Sequence, residues 1–132
     1  MTTWLRMLVS ACVAALVLAA MPQPAVAECD VLASYMARLG DRDHYNSRGQ
    51  RLTSPAAILR QDRANFHRFG VRDPEDQSDP VFATMDGRAR MEAVLNNMVM
   101  SPETWSEIVN GTPLIMVRIC QDRIEVYKVY QQ

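Results

Sequence analysis

Residues 54–80 read SPAAILRQDRANFHRFGVRDPEDQSDP, a helix running into an acidic loop, and the reading of the whole chain turns on it. Ser54 is placed to cap the helix, its hydroxyl accepting from an early backbone N–H, and Pro55 suits the first helical position. Gly70 stops the helix by entering the left-handed conformation that other residues resist. At about 100° per residue, Ile58, Leu59, Phe66 and Phe69 share one apolar arc, with Asp62 in its middle. A carboxylate aimed at a core must be paired, protonated or turned out through a gap, because unpaired burial costs on the order of several kcal/mol. Asp62 is therefore the residue from which the rest is argued.

Upstream, Asp30 can cap a helix to about Leu39, with Leu32, Tyr35, Met36 and Leu39 at i, i+3, i+4 and i+7 and Gly40 ending it. Residues 41–53, DRDHYNSRGQRLT, form a polar connection from which Tyr45 and Leu52 can dock inward, with a third short strand an option near 45–52. Downstream, Asp73-Pro74 and Asp79-Pro80 keep 71–85 out of helix, since the residue before proline avoids that conformation. A third helix is expected over 87–100, with Met91, Val94, Leu95 and Met98 on one face. A fourth opens at Ser101-Pro102 and closes at Asn110-Gly111. The period then changes. Leu114–Cys120 and Ile124–Tyr130 are rich in β-branched and aromatic residues, and a three-residue loop between them would put Ile115, Val117 and Ile119 on one face with Tyr127 and Val129. The fold class is α+β: three to four short helices packed on a C-terminal antiparallel hairpin, stapled by one disulfide.

The first residues have a destination of their own. Arg6, the apolar run 7–20 and the small residues Ala25-Val26-Ala27 make a secretory signal, with cleavage after Ala27 and a single domain over 28–132. The run is too short to cross a bilayer comfortably. Removing Arg6 from the 14 basic residues leaves 13 against 15 acidic ones, a balance that gives no case for nucleic acid or an anionic membrane surface. Cys12 leaves with the signal. Cys29 and Cys120 remain near opposite ends of a chain bound for an oxidising compartment, and they are read as a disulfide. The expected location is periplasmic or secreted.

Several groups carry candidate chemistry. Asp62, Asn65 and Arg88 form a structural set, in which Arg88, Arg48, Arg51 or backbone N–H groups of the polar loop satisfy the Asp62 carboxylate. The sharper reading makes Asp62 an acid or base assisted by Arg63, Asn65 or His67. The wheel turns His67 away from Asp62, onto the Arg60 and Arg63 side with no carboxylate in helical reach, which reads as a surface histidine. His44, in the polar loop beside Asp43, lacks other metal-ligand spacing. The carboxylates of 73–79 are dense enough to raise calcium, but the loop lacks the EF-hand order and its glycine. No nucleophile elbow, phosphate-cradling glycine loop or zinc pattern is present, and no cofactor is indicated.

The sequence thus points to a small exported binding module for a protein or cell-envelope partner. Tyr45, Arg48 and Arg51 of one loop and Asp73, Asp76 and Asp79 of the other form the expected partner face. The competing expectation is a small hydrolase-like enzyme centred on Asp62. It requires a concave site where Asp62 meets a second ionisable group.

Overall fold

The computed structural model describes residues 27–131. The leader read over residues 1–27, Cys12 included, lies outside them apart from Ala27. The chain is mixed α+β, with three helices on a four-stranded sheet of order β1-β3-β4-β2. Strand β1 is Val31–Arg38, β2 Met98–Val99, β3 Leu114–Cys120 and β4 Ile124–Lys128. Helices α1, α2 and α3 are Pro55–Ala64, Met85–Leu95 and Pro102–Asn110.

Both serine–proline starts behave as their chemistry dictates. The Ser54 hydroxyl accepts from Ala57 N–H and the Ser101 hydroxyl from Thr104 N–H, with proline following each. Gly70 ends the central helix in the left-handed region at φ 66°. Between Ala64 and Gly70, however, residues Asn65–Phe69 form a π-helical turn. A wider turn breaks the 100° step on which the wheel rests. Phe69, expected in the apolar arc, consequently swings out to 52% exposure, while Ile58, Leu59 and Phe66 stay buried.

The first expected helix is instead strand β1. It pairs antiparallel with β3, Tyr35 opposite Val117 and Ala37 opposite Ile115. The i, i+3, i+4 pattern was genuine but coexisted with a period of two, and burial selects the latter: Tyr35, Ala37 and Leu39 are inside, while Leu32 is 62% exposed. The expected helix over 87–100 stops at Leu95, and Met98–Val99 adds a short strand parallel to β4. No strand forms near 45–52; Tyr45 and Arg51 make a single isolated bridge.

The hairpin exists with a different register. Ile119 pairs with Ile124 and Val117 with Val126, and Cys120 N–H donates to Arg123 O at 2.8 Å across the connection. One residue of slip exchanges the faces of a strand. The core partners of Ile115, Val117 and Ile119 are therefore Ile124 and Val126, and Tyr127 looks outward at 46% exposure. One face of the sheet thus closes a single core with Ile58 and Leu59 of α1, Met91 and Leu95 of α2, and Ile108 and Val109 of α3. Each such side chain contributes about 1.5–3 kcal/mol on full burial.

Cys29 and Cys120 form the expected disulfide, Cα–Cα 5.6 Å, tying the entry of β1 to the end of β3. The bond closes a loop of 91 residues in sequence separation. Replacing both cysteines by serine should lower unfolding stability by about 2–4 kcal/mol. Denaturant titration of the variant beside the oxidised protein checks this, and coincident curves would show that the bridge constrains nothing.

The outer edge of β1 is not left open. Gln77 N–H donates to Met36 O at 2.8 Å, Met36 N–H to Gln77 Oε1 at 3.0 Å, and Arg38 N–H to Asp76 Oδ1 at 2.8 Å. The acidic loop thereby satisfies groups that an edge strand would otherwise present to another chain. Among the described residues no helix is long and apolar enough to cross a membrane.

Candidate functional site

The inward-facing carboxylate predicted from the helical wheel is present, and its partner is the next residue. Asp62 is 2% exposed and accepts from Arg63 Nε at 2.7 Å through Oδ2. Arg63 is itself fully buried. Its Nη1 donates to Gln77 O at 2.8 Å and to Asp79 Oδ2 at 3.2 Å, and its guanidinium lies 4.1 Å from the Tyr35 ring centre and 4.9 Å from that of Phe66. Asp79 also accepts Phe82 N–H at 2.6 Å, and its Oδ2 lies 2.9 Å from His67 Nε2. A single guanidinium thus joins the central helix, the acidic loop and β1.

Burial sets the electrostatics of this hub. It pushes the Asp62 carboxyl up to about 7, against the charge and hydrogen bond of Arg63. Burial disfavours the Arg63 cation as well, but Tyr35, Asp62 and Asp79 outweigh it and hold the guanidinium above its ordinary range. Burial likewise raises the Tyr35 hydroxyl, which among the described residues has no hydrogen-bond partner; neither has Arg63 Nη2.

Four expectations are corrected here. Arg88 does not reach Asp62 but donates to the Phe82 and Ala83 carbonyls, at 3.2 and 3.0 Å. His67 is not a surface residue: its side chain is 8% exposed and meets Asp79 across the loop, a contact that helical reach alone does not consider. Asp79 cannot contribute to a partner face, because it is 2% exposed and engaged by Arg63, His67 and Phe82. Arg48 and Arg51 do not satisfy Asp62 either.

Asn65 sits beside the hub and has its own task. Its Nδ2 donates to Asp43 Oδ1 at 2.8 Å, while Asp43 Oδ2 accepts Gly40 N–H at 2.9 Å. His44, read from sequence as a loop residue, is 3% exposed. Its Nδ1 faces Gly40 O at 2.9 Å and its Nε2 faces Ile108 O at 2.8 Å. Both partners are acceptors, so a neutral ring, with one N–H, donates to only one of them. Arg51 donates to Val109 O at 2.9 Å, fastening the polar loop to the last carbonyls of α3, where its positive charge is favoured.

On this sealed scaffold lie two adjoining clefts. The larger, about 670 Å³ and open, is lined by Asp41, Arg42, Tyr45, Asn46, Ser47, Gln61, Asn65, Phe69 and Val71. The second, about 350 Å³ and more enclosed, shares Asp41, Arg42 and Val71 and adds Gly40, Asp43, Arg72, Asp73 and Asp76. Gly40 lets Asp73 come close there, since a Cβ would stand 2.6 Å from Asp73 Oδ2 and the carboxylate would have to move aside. Burial raises the Asp73 carboxyl, and the charges of Asp76 and Glu75 add to it. Asp43 is raised by burial too, with Asp76 and Asp73 contributing and the Asn65 and Gly40 hydrogen bonds opposing.

No family model, curated protein or solved structure matches this chain. The site must therefore be read from its own geometry. Of the residues expected at a partner face, Tyr45 lines the larger cleft and Asp73 and Asp76 the smaller. Arg48 lies in a further groove with Arg60, which shares Asn46 and Gln61 with the larger cleft, and Arg51 in another with His44 and Thr112. Asp62 and Arg63 meet within hydrogen-bond reach but, with His67, line none of these clefts. The calcium reading loses several ligands to protein donors: Asp76 accepts from Arg38 and Asp73 N–H, Glu75 pairs with Arg38 at 2.6 Å, and Asp79 belongs to the hub. Gln61 was not singled out from sequence and Phe69 was read as a core residue; the exposure of Phe69 follows from the π turn, which leaves no mark in residue spacing.

Proposed function

We propose that the protein is a small exported binding module, acting in the periplasm or outside the cell, and that it engages a protein or cell-envelope partner through the larger cleft. The observation that carries this reading is the pair of aromatic side chains on the cleft's rim, Tyr45 at 44% and Phe69 at 52% exposure, held on a scaffold in which Asp43, Asp62, Arg63, Asn65 and Asp79 are buried. Exposed aromatics at the edge of a preformed concavity are the residue types that dominate binding interfaces. The disulfide is compatible with export. The alternative of an enzyme centred on Asp62 finds less support, because the carboxylate is spent on Arg63 behind the protein surface.

A photo-reactive residue placed at Phe69 in the full chain should give discrete partner adducts in intact cells. The same group at Val99 on β2 should not. Adding Tyr45→Ala should reduce the position-69 adducts about ten-fold, the effect of truncating one anchoring aromatic. Equal adducts from both positions, or none from 69, would overturn the reading.

A further inference from the structure

The two clefts form one trough with a division of labour along it. At the Tyr45, Phe69 and Val71 end the walls are largely carbon. At the Gly40, Asp43, Asp73 and Asp76 end they are polar and carry carboxylates. What holds those carboxylates decides the sign of the trough. Asp43 is bound by Gly40 N–H and the Asn65 amide, and Asp76 by the backbone N–H groups of Arg38 and Asp73. These donors are uncharged, so the hydrogen bonds orient the carboxylates without neutralising them. The walls carry two cations, Arg42 and Arg72, the latter 4.9 Å from the Phe66 ring centre, against the four carboxylates of Asp41, Asp43, Asp73 and Asp76, so negative charge is in excess. An enclosed, negatively charged recess beside an apolar shelf is complementary to a ligand carrying a cation next to an apolar group.

We infer that the occupant is an extended peptide segment of the partner in which a lysine or arginine adjoins an aromatic or large aliphatic residue. The basic side chain enters the Asp43, Asp73 and Asp76 recess, and its apolar neighbour lies on the Tyr45, Phe69 and Val71 shelf. Asp73 supplies the principal charge contact. Among the described residues its carboxylate accepts no hydrogen bond, and Gly40 leaves room beside it. This inference rests on the binding-module reading and adds the chemistry of the ligand.

The test uses nitrogen-labelled protein recovered in its exported, disulfide-bonded form and three acetylated, amidated hexapeptides: GGFKGG, GGFEGG, and GGFKGG with norleucine in place of lysine. On titration followed by NMR, GGFKGG should shift amides within 40–47 and 61–76 saturably, and GGFEGG should bind at least about ten-fold more weakly. Asp73→Asn should weaken GGFKGG about five- to ten-fold and leave the norleucine peptide unchanged, since only the former brings a charge. Equal affinity for the lysine and glutamate peptides, or shifts centred elsewhere, would overturn the inference. So would silent peptides with calcium chloride alone shifting residues 40–43 and 72–76, which would mark a metal site. Position-69 adducts persisting while all three peptides stay silent would remove the basic-peptide assignment and leave the binding module standing.

Discussion

Arg63→Ala should cost the protein at least about 4–5 kcal/mol, and its melting temperature should fall by roughly 20 °C or the cooperative transition vanish. The substitution removes one cation and strands the Asp62 and Asp79 carboxylates, both 2% exposed. It also removes the anchor of Gln77 O and the packing on the Tyr35 and Phe66 rings. Whole domains of this size are stable by only about 5–15 kcal/mol, so most of the margin is at stake. Arg63→Lys should not rescue it, because an ammonium cannot reproduce the donation from Nε and Nη1 in one plane. Adding Asp62→Asn and Asp79→Asn to Arg63→Met should recover part of the loss, since the uncompensated charges go with the cation. Differential scanning fluorimetry of the four proteins checks the set; a melting point for Arg63→Ala within about 3 °C of the wild type would show that the hub holds little together.

The second large effect lies in pH. Burial lifts the Asp62 carboxyl to about 7, whereas an unfolded aspartate titrates near 3.9 or so. Between those values the folded protein keeps a proton that the unfolded chain has released. The group's contribution to stability is therefore complete below about pH 4 and is lost as pH rises through about 7. At about 1.4 kcal/mol per pH unit, the loss is on the order of 4 kcal/mol. Asp62→Asn cannot titrate, so its stability relative to the wild type should climb by that order between acid and neutral pH. Urea unfolding of both proteins at about pH 4.5, 6.0 and 7.5 measures the difference. Parallel curves would mean that Arg63 keeps Asp62 ionised throughout and that burial is not the dominant influence. Asp43, raised in the same direction, stays common to both proteins and cancels.

What could be read from the amino acids divides along local and non-local lines. Ser54-Pro55, Ser101-Pro102 and Gly70 act within a turn of the chain, and they cap and stop helices as expected. The β-branched run Leu114–Cys120 declared its strand. Residues 31–38 did not, because Leu32, Tyr35, Met36 and Leu39 satisfy a helical stripe while Tyr35, Ala37 and Leu39 satisfy a strand, and only pairing with β3 decides between them. Asp62 was legible as an inward carboxylate, but its partner was sought at a distance when the adjacent Arg63 folds back onto it. His44 and His67 gave no signal at all. Each is placed by a carbonyl or carboxylate remote in sequence, Ile108 O for one and Asp79 for the other. The two loops of the trough were singled out as the partner face, whereas Phe69 reached it only through a π turn that spacing does not reveal.

Asp76 has two employments: one oxygen seals the flank of β1 through Arg38 N–H, and the residue also lines the recess. Losing that oxygen would free Arg38 N–H beside the two bonds that Gln77 makes to Met36, and so loosen the guard that keeps copies of the chain from stacking edge to edge. An asparagine at 76 would keep the accepting oxygen and drop the charge, so the seal along the strand answers to the shape of that side chain and the sign of the recess to its ionisation.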